Sequence, residues 1–138
     1  MSEHGHAIDI DVDFDSAIDR VTEALNAEGF RVLTRINIDE AFHEKLGVNF
    51  RRYTILGACN PQLAHKALSA YPEVGMMLPC NVCVEEIDIG SRVHFADPAA
   101  MMTAGGFDDN PELHDLGKNA GVRIARAAAA VARFSTPG

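Results

Sequence analysis

The chain has 138 residues, 47% hydrophobic and 23% charged, which is the length and balance of one domain, not two. At that length roughly two thirds of the unfolded chain's surface can be buried, so neither a disulfide framework nor a structural metal is required for folding. A net charge of -8, from 20 acidic and 12 basic residues, opposes neutralisation of a phosphate backbone and excludes nucleic acid as the expected partner.

No run approaches the ~18 apolar residues of a membrane span, and the N-terminal MSEHGHAIDIDVD is acidic where a secretory signal would be basic and then apolar. A cytoplasmic protein without a membrane partner is expected. Three cysteines, an odd number, fit reduced thiols better than a disulfide scaffold.

Residues 7–12 alternate apolar and acidic, with Ile8, Ile10 and Val12 opposite Ala7, Asp9 and Asp11, as in a half-buried strand. From Asp13 the period changes. Phe14, Ala17, Ile18, Val21, Ala24 and Leu25 follow helical spacing, with Asp13 placed to cap the start and Gly29 just past the end. Alternation returns from Phe30 to Ile38 and predicts Phe30, Val32, Ile36 and Ile38 on one face of a second strand. A short helix carrying Phe42 and Leu46 follows, capped by Asp39 and closed by Gly47.

Arg52–Cys59 reads as a third strand. Asn60 and Pro61 then start a helix, the asparagine as N-cap and the proline at N1, where its missing N–H is not needed. Leu63, Ala64, Ala67, Leu68 and Tyr71 form its predicted buried stripe, and Pro72 stops it. Cys80 to Ile87, the turn Asp88-Ile89-Gly90-Ser91 and the run Arg92–Ala96 read as a hairpin. Asp97-Pro98 and Asn110-Pro111 start two more helices by the same cap-and-proline device. In the second, Leu113, Leu116, Ala120, Ile124, Ala127, Val131 and Phe134 step by three or four, so a helix over 111–134 would span ~36 Å. Gly117 and Gly121 each weaken it by about 1 kcal/mol relative to alanine and mark where it would break. Residues 135–138 read as a frayed tail.

The expected fold is therefore α+β, a two-layer sandwich. A mostly antiparallel sheet of about five strands carries the helices at 14–28, 61–71 and 111–134 on one face. The other face would present Asn81, Cys83, Glu85, Arg92 and His94, away from Val82, Val84, Val93 and Phe95, and would be either solvated or used for dimerisation.

The segments GFRVLTRINI (29–38), KLGVNFRRYTILGACNPQLAHKAL (45–68), GMMLPCNVCVEE (75–86) and VHFADPAAMM (93–102) resemble the family called domain of unknown function 302, over nearly the whole chain. The paired motifs GACNP and LPCNV, their cysteines 21 residues apart, carry the resemblance with Asp97-Pro98. It implies a two-layer α+β fold, commonly self-associated, in bacterial and archaeal proteins, with no established biochemical activity. Cys83 stands where an aliphatic residue is more usual in the family, so chemistry through it would not be a family property.

The candidate ligand-binding residues are Cys59, Asn60 and Pro61 on one strand edge and Pro79, Cys80 and Asn81 on another. Cys59 precedes a helix N-terminus, where unsatisfied N–H groups and the dipole favour a thiolate by roughly 0.3–1 kcal/mol, under one pKa unit. A strongly reactive thiol would need a second cation, and the nearby candidates are His65 and Lys66. If the two strands are neighbours, Cys59 and Cys80 could face each other as a redox or metal pair. Against this stands the ordinary role of free cysteine as a small buried hydrophobe. Cys80-Asn81-Val82-Cys83 matches CxxC, but on a strand positions i and i+3 point to opposite faces.

Met76, Met77, Cys80, Cys83, Met101 and Met102 form an inventory of soft donors suited to Cu(I), although methionines more often fill gaps in a core. His4, His6, His43, His65, His94 and His114 make no spaced metal set, and no P-loop, GxGxxG or GxSxG motif occurs. His94 is predicted to pair directly with Glu85 if Ile89-Gly90 are the central turn residues. No catalytic constellation, metal set or cofactor is named by these residues. Three classes of function follow: a homodimeric module for a small molecule or for assembly, a thiol-dependent redox or sulfur-handling protein using Cys59 and Cys80, and a soft-metal binder.

Overall fold

The computed structural model describes residues 5–134. His4 and the tail 135–138 lie outside them. Five strands, β1 (Gly5–Ile10), β2 (Arg31–Asn37), β3 (Tyr53–Cys59), β4 (Cys80–Glu86) and β5 (Ser91–Ala96), form one antiparallel sheet in the order β1-β5-β4-β3-β2. The helices are α1 (Phe14–Ala27), α2 (Ile38–Leu46), α3 (Pro61–Ala70), α4 (Pro98–Ala104) and α5 (Pro111–Val131). Short 3₁₀ segments follow α3 at Pro72–Met77 and α5 at Ala132–Phe134. The α+β sandwich expected from the periodicity is the fold observed.

α1 buries Phe14, Ala17, Ile18, Val21, Ala24 and Leu25, the six positions its spacing selects. They meet Leu56 and Ala58 of β3, Val82 and Val84 of β4, Val93 and Phe95 of β5, and Ile124, Ala127, Ala128 and Val131 of α5 in one core. Asp13 occupies the N-cap position without a side-chain capping bond. A second apolar cluster sits at one end of the helical layer, where Ala67 of α3, Val74, Met102 of α4 and Leu113 of α5 meet.

Three expectations about local structure are corrected. A bulge between Val32 and Thr34 shifts β2 by one residue against β3. It turns Ile36, 49% exposed, onto the open face opposite Ile55, and Ile38 begins α2 instead of ending the strand. The N-cap position of α2 is Asn37, while Asp39 lies inside the helix and accepts the Tyr53 backbone N–H at 3.1 Å. Gly47 closes α2 in the left-handed conformation, as expected. In α3 only Ala67 is fully buried and Leu68 is exposed, so its apolar stripe is narrower than its sequence implies.

α5 runs unbroken through Gly117 and Gly121. The glycines mark close approach: a Cβ at Gly117 would lie 3.0 Å from Met102 Cγ, and one at Gly121 would lie 3.1 Å from Asp97 Oδ1. The cost of each glycine in the helix is offset by allowing α4 to press against α5.

Candidate functional site

The sheet register decides what the two cysteine motifs can do. β3 and β4 are neighbours, but Cys80 pairs with Ala58, one residue short of Cys59. Alternation then puts Cys80 on the helix-covered side with Val82 and Val84, and Cys59 on the open side with Gly57 and Ile55. The expected face-to-face thiol pair does not form, and both cysteines are free. Cys80 and Cys83 likewise lie on opposite faces of β4, as the strand reading of CxxC requires.

Burial pushes the Cys59 thiol above its ordinary value, with no cation acting on it; His65 and Lys66 are both exposed on α3. The Cys80 thiol is pushed up to about 11, first by burial and then by the nearby Cys59 and Asp97. Both shifts run upward, opposite in direction to the effect of a helix N-terminus.

Cys59, Asn60 and Cys80 nevertheless border one pocket of about 50 Å³ between the sheet and α3, α4 and α5. Its walls are apolar: Phe30, Ala58, Leu63, Ala67, Val74, Leu113 and Ala120 contribute, together with Met77, Met101 and Met102. Asn60 is the single polar side chain of the lining other than cysteine, and its amide is committed. Its Oδ1 accepts the Leu63 backbone N–H at 3.3 Å, as an N-cap does, and its Nδ2 donates to the Glu28 carbonyl at 3.5 Å. The other three candidates are elsewhere. Pro61 is exposed at N1 of α3. Pro79, which follows a cis peptide bond, lies over Gly57 on the open side, and Asn81 is exposed on β4.

Met77, Met101 and Met102 were recognisable in sequence as soft donors but not as members of this site. The glycines of the following turn and helix help to seat two of them. A Cβ at Gly105 would lie 2.8 Å from Met77 Sδ, and the Gly117 contact named above serves Met102. Met76 is 79% exposed and Cys83 lies on the open face, so neither belongs to the pocket.

The open face carries a polar network across β1, β5, β4 and the segment before β3. Arg92 makes two hydrogen bonds to Asp9, at 2.6 and 3.0 Å, and holds its carboxyl below the ordinary range. Glu85, only 7% exposed, lies 2.6 Å from His94 Nε2 and 2.9 Å from Arg51 Nε. Burial pushes the Glu85 carboxyl up, but the hydrogen bonds from His94 and Arg51 outweigh it and leave the carboxyl below its ordinary value. The predicted direct pairing of His94 with Glu85 is corrected by the hairpin: four residues, 87–90, form the loop, so Cys83 faces His94 and Arg92 faces Glu85. The contact is diagonal.

Burial raises the Cys83 thiol, with the neighbouring Tyr53 hydroxyl acting against it and the Glu85 charge with it. Tyr53 itself is pushed up to about 12 by burial and by Cys83. A thiol raised by burial, with no cation lowering it, is not an activated nucleophile. Among the described residues no three His, Cys, Asp or Glu side chains converge on a metal position, and no helix is long and apolar enough to cross a membrane.

A two-layer sheet-and-helix domain with a small apolar pocket at the strand ends is the class of protein these elements define. The chain belongs to the family described as domain of unknown function DUF302, whose model matches residues 6–131. Its fold is similar to the crystal structure of an uncharacterized conserved DUF302 protein from Bacillus stearothermophilus, with a TM-score of 0.81 and 27% identity over 94% of this chain and 98% of that one. No curated protein matches the chain.

Proposed function

We propose that this chain is a homodimeric, cytoplasmic module that binds a small molecule and performs no catalysis of its own, with the Cys59-Asn60 and Cys80 pocket as the binding place. The observation that carries this reading is the pocket itself. Residues far apart in sequence, from Phe30 to Ala120, enclose about 50 Å³ of apolar space in a domain this small. Space of that size takes a short apolar group or a single ion, since an apolar cavity of about 150 Å³ is what benzene needs. Raised thiol pKa values favour a passive lining over thiol chemistry.

The test is a thermal-shift panel of short uncharged alkyl compounds against the wild type and Ala64→Leu, which fills the pocket from α3. Stabilisation of the wild type that is lost in a folded Ala64→Leu protein supports the reading. No shift with any probe, or equal shifts in both proteins, refutes it.

Self-association is supported by the open face. Ile36, 49% exposed on the open face of β2, and Phe50, 39% exposed under the Arg51 guanidinium, add uncovered apolar surface to the side that carries the Asp9, Arg92, Glu85 and Arg51 charges. The alanine-rich face of α5 is the alternative surface: Ala128 is buried within the subunit, Ala125 and Ala130 are half-buried and Ala129 is exposed. Sedimentation at twice 14.9 kDa that falls to the monomer mass in Ile36→Asp supports a dimer through the open face. A monomeric wild type, or a dimer indifferent to this change, refutes it.

A further inference from the structure

Five of the chain's eight sulfur-bearing side chains, Cys59, Cys80, Met77, Met101 and Met102, border one apolar pocket, although they come from three separate stretches of sequence. Cys59 borders the same pocket and lies near Cys80, but its alternation with Gly57 and Ile55 aims it toward the open side, so the donor set inside is the Cys80 thiol with the three thioethers. We infer that this pocket is a soft-metal site that takes a single Cu(I) ion through Cys80 with thioethers from Met77, Met101 and Met102. The inference rests on the pocket reading above and names its ligand.

Charge decides which ion fits. A monovalent cation bound to one thiolate is neutral as a pair, and thioethers complete the coordination without adding charge, so an apolar wall can surround the complex. A divalent ion with the same donors would leave a buried positive charge. Two thiolates with Cu(I) would leave a buried negative one. The pocket offers no carboxylate or imidazole, and its one amide, Asn60, is engaged in capping α3, so oxygen- and nitrogen-seeking ions find no partner. The available space suits a single ion coordinated by sulfur from three sides: the start of β4, the 3₁₀ segment before it and α4.

Binding would replace the proton on the Cys80 sulfur with the metal, so one proton leaves for each ion bound. Neither the protein nor the metal changes oxidation state.

The experiment is an anaerobic titration of the full chain with Cu(I) against a chromophoric Cu(I) chelator, with proton release measured in parallel and the metal's shell read by X-ray absorption. One ion per chain, one proton released and a sulfur-only shell are expected. Cys80→Ala and, as a second variant, Cys80→Ser lose this binding, whereas Cys83→Ser retains it, and Zn(II) does not compete. Retention of binding in both folded Cys80 variants, release of two protons, nitrogen or oxygen in the shell, or no binding at all overturns the inference. The two readings fail separately. If apolar probes bind and Ala64→Leu expels them while Cu(I) is ignored, the pocket reading stands and the metal inference falls. If Cu(I) binds through Cys80 and no apolar probe does, the pocket is an ion site and the general reading is too broad.

Discussion

His94 Nε2 lies 2.6 Å from Glu85 Oε2, although the strand register sets Cys83 opposite His94 and Arg92 opposite Glu85. The diagonal contact lets one nearly buried carboxylate collect both His94 and Arg51, while Arg92 turns to Asp9 on the edge strand. Three boundaries of the sheet, β1–β5, β5–β4 and β4 with the segment before β3, are thereby joined by charge on the face that carries no core.

Glu85→Gln is expected to destabilise the fold by about 1–2 kcal/mol at neutral pH, because it exchanges two charge-assisted hydrogen bonds for neutral ones while keeping the side chain's shape. The Glu85 carboxyl is held below its ordinary 4.5 in the folded state, so its contribution is complete above that pH and is lost as pH falls through the folded value. Urea unfolding of both proteins from pH 7 down to pH 3 checks this. The gap between them should narrow on acidification, and a constant gap would sink the account.

Cys80 gives the opposite sign. Its folded value of about 11 lies above the ordinary 9.0, so between those values the folded state holds a proton that the unfolded state releases, and stability falls as pH rises. Cys80→Ala should flatten that alkaline decline. Native-state alkylation at neutral pH should label Cys80 more slowly than Cys59, since Cys80 is the more deeply buried of the two thiols. Fast stoichiometric labelling of Cys80 would contradict both statements.

Asn60→Ala and Asp97→Ala should each cost about 1 kcal/mol, through loss of the side-chain acceptors for Leu63 N–H and Ala99 N–H at the starts of α3 and α4. The denaturant midpoint should drop with an unchanged slope. Equal melting temperatures for wild type and Asn60→Ala would remove the capping role and return Asn60 to the ligand-binding candidates.

Gly57→Ala is expected to destabilise by about 1–3 kcal/mol, because the added methyl would overlap Thr34 Oγ1 and the Pro79 ring. Thr34 can rotate away; the proline ring cannot. Combining the change with Pro79→Ala should recover part of the loss, and a double-mutant cycle with no coupling would show that the collision with Pro79 is not the cause.

What the sequence determined by itself is the set of elements and, for α1, β4 and β5, the side each buries. The six buried positions of α1, the cap-and-proline starts at Asn60, Asp97 and Asn110, and the alternation of Val82, Val84, Val93 and Phe95 all follow from local periodicity and local hydrogen bonding. The soft donors were visible as an inventory.

Tertiary structure alone decided register and convergence. A one-residue bulge at Leu33 sends Ile36 to the other face, a one-residue offset separates Cys59 from Cys80, and a four-residue loop makes the Glu85–His94 contact diagonal. Side chains alternate with period two, so a single residue of shift reverses every face, and no local pattern encodes that integer. Gly117 illustrates the same limit: by propensity it marks a break in α5, whereas in the fold it is where Met102 and α4 press against an unbroken helix. The pocket exists because residues 59, 77, 80, 101 and 102 are carried by elements that meet only after the sheet and the helices have packed.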